Sequence, residues 1–248
     1  MFTNCVNAES SLEANSNEST LQQHELLYPK DIVYFSQDFY LAIRYNDPID
    51  AYLDTIAKLN LDKLSGDLIT QDIKLAFWIN VYNSMVQSKI IFDENSFNNQ
   101  NSFFKEKDID FGGCKISLDE IEHGIIRAKS YTGNAFVNRF KLNQLDYRIH
   151  FTMNCGASSC PAIAYYKPET IQEDLSLAEN VFVKSNSRYD SLSNTLYTSE
   201  LFNWFKEDFK GESGIIDLMR INNVVPFDIT PSIIYESYNW DLKSKNYK

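Results

Sequence analysis

The pattern of hydrophobic and polar positions divides the chain into a polar start, a largely helical first half and a mixed second half. Residues 1–25 are rich in Ser, Asn and Glu and lack apolar periodicity, which predicts a flexible tail. From Tyr34 onward, aromatic and aliphatic residues recur at helical intervals, and a second helix is predicted near Ile49–Leu59. Because no internal repeat or linker interrupts residues 26–248, we expect them to form a single domain.

The segment from Gln71 to Ile91 predicts a buried helix that carries one narrow stripe of amides. Its apolar and aromatic residues point in almost every direction around the helix axis, whereas Asn80, Asn83 and Gln87 fall on one side. Buried amides need hydrogen-bond partners, so the stripe must face a loop backbone, ordered water or a ligand site. Asn80 and Asn83 are therefore candidates both for fastening a neighbouring loop and for binding a substrate.

A short hairpin and a capped helix are predicted next. The segment Asp110–Ile116 carries two glycines at its centre, which is typical of a tight hairpin turn. Ser117-Leu-Asp-Glu120 fits a capping box, in which the serine hydroxyl and the glutamate carboxylate satisfy backbone donors at the start of a helix. Glu120 thus has a structural role, and it is also a candidate substrate-binding residue.

One face of this helix is predicted to carry a histidine flanked by an anionic and a cationic side chain. Glu120, His123 and Arg127 follow the spacing i, i+3 and i+7. A solvated surface with ordinary helix ion pairs explains the spacing as well as a polar pocket entered by His123 does. Both interpretations stay open.

The stretch Arg148–Pro161, which reads RIHFTMNCGASSCP, concentrates the reactive side chains of the chain. It holds one of three histidines and two of four cysteines, behind a strand predicted over Gln144–Asn154. Strand geometry would place His150 and Asn154 on one face and Cys155 on the other, so a direct pair of His150 and Cys155 is not expected.

The remaining pattern predicts an α+β fold. Helices are expected near residues 168–184 and 215–222, and Ser193–Leu196 has the pattern of a strand. Ser199 is expected to cap an amphipathic helix whose phenylalanines pack in the core. We therefore expect a helical N-terminal half and a small β-sheet that includes Gln144–Asn154.

Composition and charge narrow the classes of function. The formal net charge is −11 and no basic stripe is present, which argues against nucleic-acid binding. No apolar run approaches the length of a membrane helix, and the first residues do not resemble a signal peptide. We expect a soluble protein without membrane insertion, cytoplasmic by default, or secreted or periplasmic if a leader was removed. The four unevenly spaced cysteines are expected to be free thiols.

Several segments together resemble a known family, the domain of unknown function 547. They run in order along the chain: Leu75–Asn83, Leu118–Arg127, Arg148–Pro161, Leu201–Phe209 and Tyr238–Leu242. The resemblance implies a shared fold and a shared set of polar residues. It does not imply a reaction.

The first functional hypothesis is thiol chemistry by a cysteine-dependent hydrolase or transferase. Cys155 or Cys160 would attack an acyl or thiol substrate, His123 would be the partner of the exposed cysteine, and His150 would support the site. The arrangement would be similar to papain-like or transglutaminase-like enzymes by analogy only. The residues expected to bind the substrate are Asn80, Asn83, Glu120, Arg127, Arg148, Asn154, Ser158 and Ser159.

Two other hypotheses stay open. The histidines and cysteines supply zinc-type ligands, although their spacing is not that of a structural zinc knuckle. Alternatively, the protein binds a small molecule or peptide without turning it over, and Cys155 and Cys160 are inert thiols or a local disulfide. No cofactor is predicted, and whether the protein is an enzyme is left open.

Overall fold

The computed structural model describes residues 28–129, 134–244 and 246–247, and the chain forms two compact units. Of the described residues, the first unit comprises 28–129, 134–144 and 165–168, and the second comprises 145–164, 169–244 and 246–247. The predicted tail over residues 1–25 lies outside the described residues.

The described part of the first unit is mainly helical. Its elements in chain order are α1 (Ile32–Tyr45), α2 (Asp50–Ala57), α3 (Leu61–Asp67), α4 (Gln71–Phe92), a 3-10 helix (Glu94–Asn98), α5 (Gln100–Lys105), β1 (Ile109–Phe111), β2 (Cys114–Ile116), a π-helix (Glu120–Ile126) and α6 (Ala135–Phe140). The helices predicted from Tyr34 and near Ile49–Leu59 are confirmed as α1 and α2.

The long helix α4 forms the centre of the first unit, as its all-round apolar pattern predicts. The Thr70 hydroxyl accepts a hydrogen bond from the backbone N–H of Ile73 and caps the start of the helix. Trp78 is fully buried, with its ring against Phe111 and Phe140. Burial of such large aromatic side chains is a major source of the free energy that holds the unit together.

The predicted hairpin is confirmed, with β1 antiparallel to β2. Gly112 and Gly113 both have positive φ angles, 57° and 77°, in the region that favours glycine. A Cβ atom at residue 112 would also lie 2.8 Å from the carbonyl oxygen of Leu59, which leaves no room for a larger residue. The turn therefore requires glycine for both its conformation and its packing.

The second unit combines helices with a three-stranded sheet. Its elements are a 3-10 helix (Tyr147–Phe151), α7 (Ile171–Asn186), β3 (Ser187–Asp190), β4 (Thr195–Ser199), α8 (Leu201–Trp204), a 3-10 helix (Lys206–Phe209), α9 (Gly211–Ile221) and β5 (Ser232–Glu236). Strand β4 lies between the other two, antiparallel to β3 and parallel to β5. Phe151, Phe182, Phe202 and Phe209 meet in the core of this unit.

The strand predicted over Gln144–Asn154 is wrong, because residues 147–151 form a 3-10 helix. The Asp146 carboxylate accepts a hydrogen bond from the backbone N–H of Arg148 and caps this turn. Ile149, His150 and Phe151 are consecutive and all buried, so side chains do not alternate between two faces. The expectation that separated His150 from Cys155 by strand geometry therefore has no basis.

The helix predicted from Ser199 is interrupted at Phe205, where the backbone leaves the helical region and a 3-10 turn follows. The Ser199 hydroxyl still accepts a hydrogen bond from the backbone N–H of Leu201, and Phe202 and Phe209 are buried as predicted. The α+β class is confirmed, since helices dominate and the sheets are small. Within the described ranges, no helix has the length and apolar character needed to span a lipid bilayer.

Candidate functional site

The loop that connects Cys155 to Cys160 is closed by a disulfide between these two residues, in the second unit. The expectation of free thiols is therefore wrong for this pair, whereas Cys114 is buried and takes no part in a disulfide. A local disulfide was one of the alternatives that the sequence left open. The Cα atoms of Cys155 and Cys160 are 6.2 Å apart, within the usual range for a disulfide. Cys160 is buried, whereas Cys155 is partly exposed.

Asn154 holds the two ends of this loop together. Its side-chain Nδ2 donates to the carbonyl oxygen of Pro161 at 2.6 Å, and its Oδ1 accepts from the backbone N–H of Gly156 at 2.9 Å. The Asn154 side chain is fully buried. Because these bonds span the loop independently of the sulfur atoms, they favour the same loop conformation when the disulfide is open.

The chain segment that follows β5 fastens the middle of the loop. The backbone N–H and the hydroxyl of Ser158 both donate to the carbonyl oxygen of Asp241, at 2.8 and 3.0 Å. The Ser159 hydroxyl accepts from the backbone N–H of Asn239 at 2.9 Å. Both serines, expected to bind substrate, thus have structural contacts with this segment.

Two hydrogen-bond donors point at Cys160 Sγ. The backbone N–H of Cys155 lies 3.0 Å from this sulfur, and the Tyr238 hydroxyl lies 3.1 Å from it. The same hydroxyl is 3.5 Å from Cys155 Sγ. Hydrogen bonds to the charged form of a group stabilise that form, so these donors favour a thiolate at Cys160.

Three aromatic rings contact one another and form a group that we call the aromatic cluster, of which Tyr238 contacts the disulfide: Trp204, Tyr238 and Trp240. The Tyr238 ring centroid lies 4.9 Å from that of Trp204 and 5.1 Å from that of Trp240. Trp204 is 45% exposed, and the other two rings are partly exposed. Tyr238 therefore links an exposed aromatic surface directly to the two sulfur atoms.

His150 has a buried partner that the sequence pattern did not reveal. Its Nε2 lies 2.9 Å from Asp208 Oδ2, and both side chains are almost fully buried. The imidazole ring also stacks on Phe205, with centroids 4.0 Å apart. Because both groups are removed from solvent and hydrogen-bonded to each other, the pair ties the two 3-10 helices of the second unit together.

Arg148 is engaged in a network on the surface of the second unit. Its guanidinium donates to both carboxylate oxygens of Asp146, and it also contacts Gln172 and Ser176 on α7. The hydrogen bond with Asp146 raises the pKa of Arg148 above its ordinary value. A bidentate pair of this kind orients the guanidinium toward the protein.

The π-helix of the first unit carries the second group of predicted site residues. Arg127 lies 2.8 Å from His123 Nδ1, and Asp119 Oδ1 lies 3.6 Å from His123 Nε2. Glu122, which precedes His123, accepts a hydrogen bond from the Tyr82 hydroxyl at 2.7 Å. The His123 side chain is 32% exposed, so this face contacts solvent while its charged groups contact one another.

The capping box at the start of this helix is confirmed. The Ser117 backbone N–H donates to Glu120 Oε2, and the Glu120 backbone N–H donates to the Ser117 hydroxyl, both at 3.1 Å. Lys107 and Asn134 also contact the buried Glu120 carboxylate. The Glu120 carboxylate therefore has the structural role expected from the capping box, and it also contacts two side chains outside the box.

Asn80 fastens a neighbouring loop, which is one of the two roles expected for the amide stripe. Its Oδ1 accepts from the backbone N–H of Tyr166 at 2.8 Å, and its Nδ2 donates to the carbonyl oxygen of the same residue at 3.0 Å. Asn83 is also fully buried.

The first unit also contains an open cavity of about 770 Å³. Its apolar walls include Leu53, Ala57, Met85 and Phe103. An ion pair between the partly buried Lys89 and the exposed Asp108, with 2.7 Å between Nζ and Oδ2, lies among its polar lining residues. This volume lies within the range of small-molecule sites.

The structure brings together five of the predicted site residues in one loop of the second unit, and it pairs His123 with Arg127 in the first. The pairing of His123 with a cysteine stays a prediction, because these residues belong to different units. The role of Asp208 and the contact of Tyr238 with the sulfurs were not predicted from the sequence. Tyr238 lies in the segment Tyr238–Leu242, which resembles the family, and this resemblance was the one sequence feature that indicated a role for it.

Metal ligands are not grouped in the described ranges. In residues 28–129, 134–244 and 246–247, no three His, Cys, Asp or Glu side chains are placed to share a metal ion. The zinc hypothesis therefore gains no support from the geometry, because a structural zinc site needs about four such ligands around one point.

These features define an α+β protein whose second unit contains a disulfide-closed loop and a buried histidine–aspartate pair. The sequence profile of a family described as "Protein of unknown function, DUF547" matches residues 67–183. The matched segment covers slightly less than half of the chain, includes the disulfide loop and supports an assignment to the DUF547 family. No curated protein and no solved structure matches the chain.

Proposed function

We propose that the protein catalyses thiol–disulfide exchange at Cys155 and Cys160. The observation that carries this proposal is the asymmetry of the two sulfurs. Cys160 Sγ is buried and accepts hydrogen bonds from the Cys155 N–H and the Tyr238 hydroxyl, whereas Cys155 is partly exposed. A partly exposed cysteine that can be attacked and a partner sulfur that can leave as a stabilised thiolate are the two requirements of this chemistry.

The exchange begins when a substrate thiolate attacks Cys155 Sγ. A bond forms between the substrate sulfur and Cys155, the bond between Cys155 and Cys160 breaks, and its electron pair remains on Cys160 Sγ as a thiolate. A second substrate thiolate then attacks the substrate sulfur of this mixed disulfide, which releases Cys155 as a thiolate. The two substrate thiols lose two electrons and become a disulfide, and the two cysteines take up two protons and become thiols. A second substrate that carries a disulfide closes the cycle by the reverse steps: the Cys155 thiolate attacks its disulfide and releases one substrate thiolate, and the Cys160 thiolate then attacks Cys155 Sγ and releases the other.

The oxidised pair favours this chemistry over acyl transfer. A sulfur held in a disulfide has no thiolate available to attack an acyl carbon, so acyl transfer would require the reduced protein. Exchange uses both forms of the pair, and Asn154 keeps the loop ends together through each cycle.

Redox titration tests the proposal. The protein is equilibrated with mixtures of oxidised and reduced dithiothreitol or glutathione, and the fraction of open disulfide is measured by alkylation and mass spectrometry. We expect a midpoint potential above about −300 mV, because structural disulfides generally lie below that value. A midpoint more negative than this would identify a structural bond and overturn the proposal.

Single-cysteine variants test the roles of the two sulfurs. In Cys160→Ser, the Cys155 thiol is expected to form a mixed disulfide with a chromogenic aryl disulfide. In the matched control Cys155→Ser, the buried Cys160 is expected to react at least about tenfold more slowly. Equal rates would show that the sulfurs are not differentiated.

The cavity of the first unit supports small-molecule binding as a second candidate function. We expect it to bind a neutral apolar probe, N-phenyl-1-naphthylamine, with an increase in probe fluorescence. Ala57→Phe places a large side chain in the cavity wall and is expected to abolish the signal, whereas Ala51→Phe on the exposed side of α2 is its control. An unchanged signal in Ala57→Phe would exclude this cavity as the site.

A further inference from the structure

We propose that the substrate of the disulfide is a cysteine within an extended polypeptide, which docks on the aromatic cluster and along the edge of β5. This inference rests on the proposed exchange function and specifies its substrate class. Two separate features of the second unit support it, and both lie in the short segment from Ser232 to Trp240.

The first feature is the position of the aromatic cluster. The Tyr238 ring contacts both tryptophan rings, while its hydroxyl lies 3.1 Å from Cys160 Sγ and 3.5 Å from Cys155 Sγ. An apolar or aromatic side chain that stacks on this exposed surface would therefore hold its neighbouring cysteine near Cys155. Aromatic surfaces provide large contact area at a small entropic cost, which suits the binding of diverse peptide side chains.

The second feature is the edge strand that precedes Tyr238 by two residues. Strand β5 pairs with β4 on one side, and in the described part of the chain its sheet has no further strand beyond it. Its residues alternate between exposed and partly buried, and Ile234 is 48% exposed. An extended peptide can add to such an edge through backbone hydrogen bonds.

The combined length of these features favours a polypeptide over a small thiol. Five residues of β5 span roughly 17 Å, and Tyr238 of the aromatic cluster follows the last of them by two positions. A small thiol would contact the sulfur and little else. An extended chain would pair with β5 and place side chains on the cluster at the same time.

The reacting step is the one described above, with the peptide thiolate as the attacking group. Its sulfur bonds to Cys155 Sγ, the disulfide breaks, and Cys160 Sγ retains the electron pair as a thiolate. The product is a mixed disulfide between the peptide and Cys155, which can be isolated after rapid acid quenching and identified by mass.

The experiment compares two nine-residue peptides with one central cysteine, flanked by Phe in one and by Ser in the other. The rate constant for mixed-disulfide formation with the full-length oxidised protein is measured for each. We expect the Phe peptide to react about tenfold faster. Trp204→Ala should reduce this ratio to about two, whereas the matched control Phe227→Ala, which removes another exposed aromatic ring of the second unit, should retain it.

A second set of peptides tests the edge strand without any change to the protein. The Phe peptide is methylated on alternate backbone nitrogens in either of two registers. In an added strand, alternate N–H groups face the sheet, so one register should lower the rate constant at least about tenfold and the other should not. Equal effects of both registers would overturn docking along β5.

The redox titration described above separates the failure of this inference from the failure of the proposed function. If the midpoint potential of the wild-type disulfide lies in the range of structural disulfides, the exchange function itself is wrong. If it lies above that range, but the two peptides react equally and Trp204→Ala has no more effect on their ratio than Phe227→Ala, the function stands and the polypeptide substrate is overturned.

Discussion

The Tyr238 hydroxyl lies 3.1 Å from Cys160 Sγ, although the two residues are 78 positions apart in the sequence. With the Cys155 N–H, it gives this buried sulfur two hydrogen-bond donors. Such donors interact more strongly with a thiolate than with a disulfide, because hydrogen bonds to charged groups are about twice as strong as neutral ones. The two donors therefore stabilise mainly the Cys160 thiolate that forms when the disulfide opens.

Tyr238→Phe is expected to slow the opening of the disulfide by dithiothreitol by roughly tenfold or more. The substitution removes one hydrogen bond to the leaving thiolate, which is worth about 1.5–3 kcal/mol when the acceptor is charged. The rate is measured by quenched alkylation. Tyr189→Phe is the matched control, because that hydroxyl bonds to the exposed Asn194 in the same unit. Equal rates in the two variants would contradict the role of Tyr238.

Asn154→Ala is expected to slow the re-formation of the disulfide in the reduced protein. The substitution removes the hydrogen bonds to Gly156 and Pro161 that keep the loop ends together. It also leaves buried backbone groups without these partners, which should lower the free energy of unfolding by about 1–3 kcal/mol. The rate of disulfide re-formation is measured by oxidation kinetics, and the free energy of unfolding is measured by urea denaturation.

The control for this variant is Asn203→Ala, which removes an exposed side-chain hydrogen bond to Glu200. We expect it to change the free energy of unfolding by less than about 0.5 kcal/mol. Unaltered oxidation kinetics in Asn154→Ala would show that the disulfide alone determines the loop conformation.

His150→Ala is expected to destabilise the protein by about 3 kcal/mol or more. The substitution removes the hydrogen bond to the buried Asp208 carboxylate, and breaking a buried pair in this way is costly. Urea denaturation measures the loss. His123→Ala is the comparison, since its side chain is 32% exposed and its removal should cost less than about 1 kcal/mol. Similar losses in the two variants would contradict a structural role for the buried pair.

Asn80→Ala is expected to lower the free energy of unfolding by about 2 kcal/mol or more. The substitution leaves both the N–H and the carbonyl of Tyr166 without their Asn80 partners in a buried position. Asn95→Ala, at an exposed position, is the control. A small loss together with weaker binding of a ligand would instead favour the binding role that the sequence left open for Asn80.

Local patterns were sufficient to predict much of the first unit. The buried helix α4, the hairpin with its two glycines and the capping box at Ser117 and Glu120 were all predicted from residues a few positions apart. Each depends on the periodicity of one element or on a side chain that bonds to nearby backbone, and this information is contained in the sequence itself.

The conformation and the contacts of the site residues in the second unit depend on residues that are distant in the sequence, which a local sequence pattern does not reveal. Residues 147–151 were expected to form a strand, but Asp146 caps a 3-10 turn whose consecutive side chains are all buried. His150 bonds to Asp208, which is 58 positions away. Apolar runs this short fit a strand or a tight helix equally well, and the surrounding packing decides between them.

The sequence by itself determined where the reactive residues are concentrated, because the crowding of cysteine, histidine and small residues in Arg148–Pro161 is visible without a structure. Only the tertiary structure decided their state. The fold places Cys155 and Cys160 in one bridge, directs Tyr238 at both sulfurs and buries His150 against Asp208. The physical reason is that a disulfide and its hydrogen-bond donors depend on distances in space, which chain folding sets between residues distant in sequence.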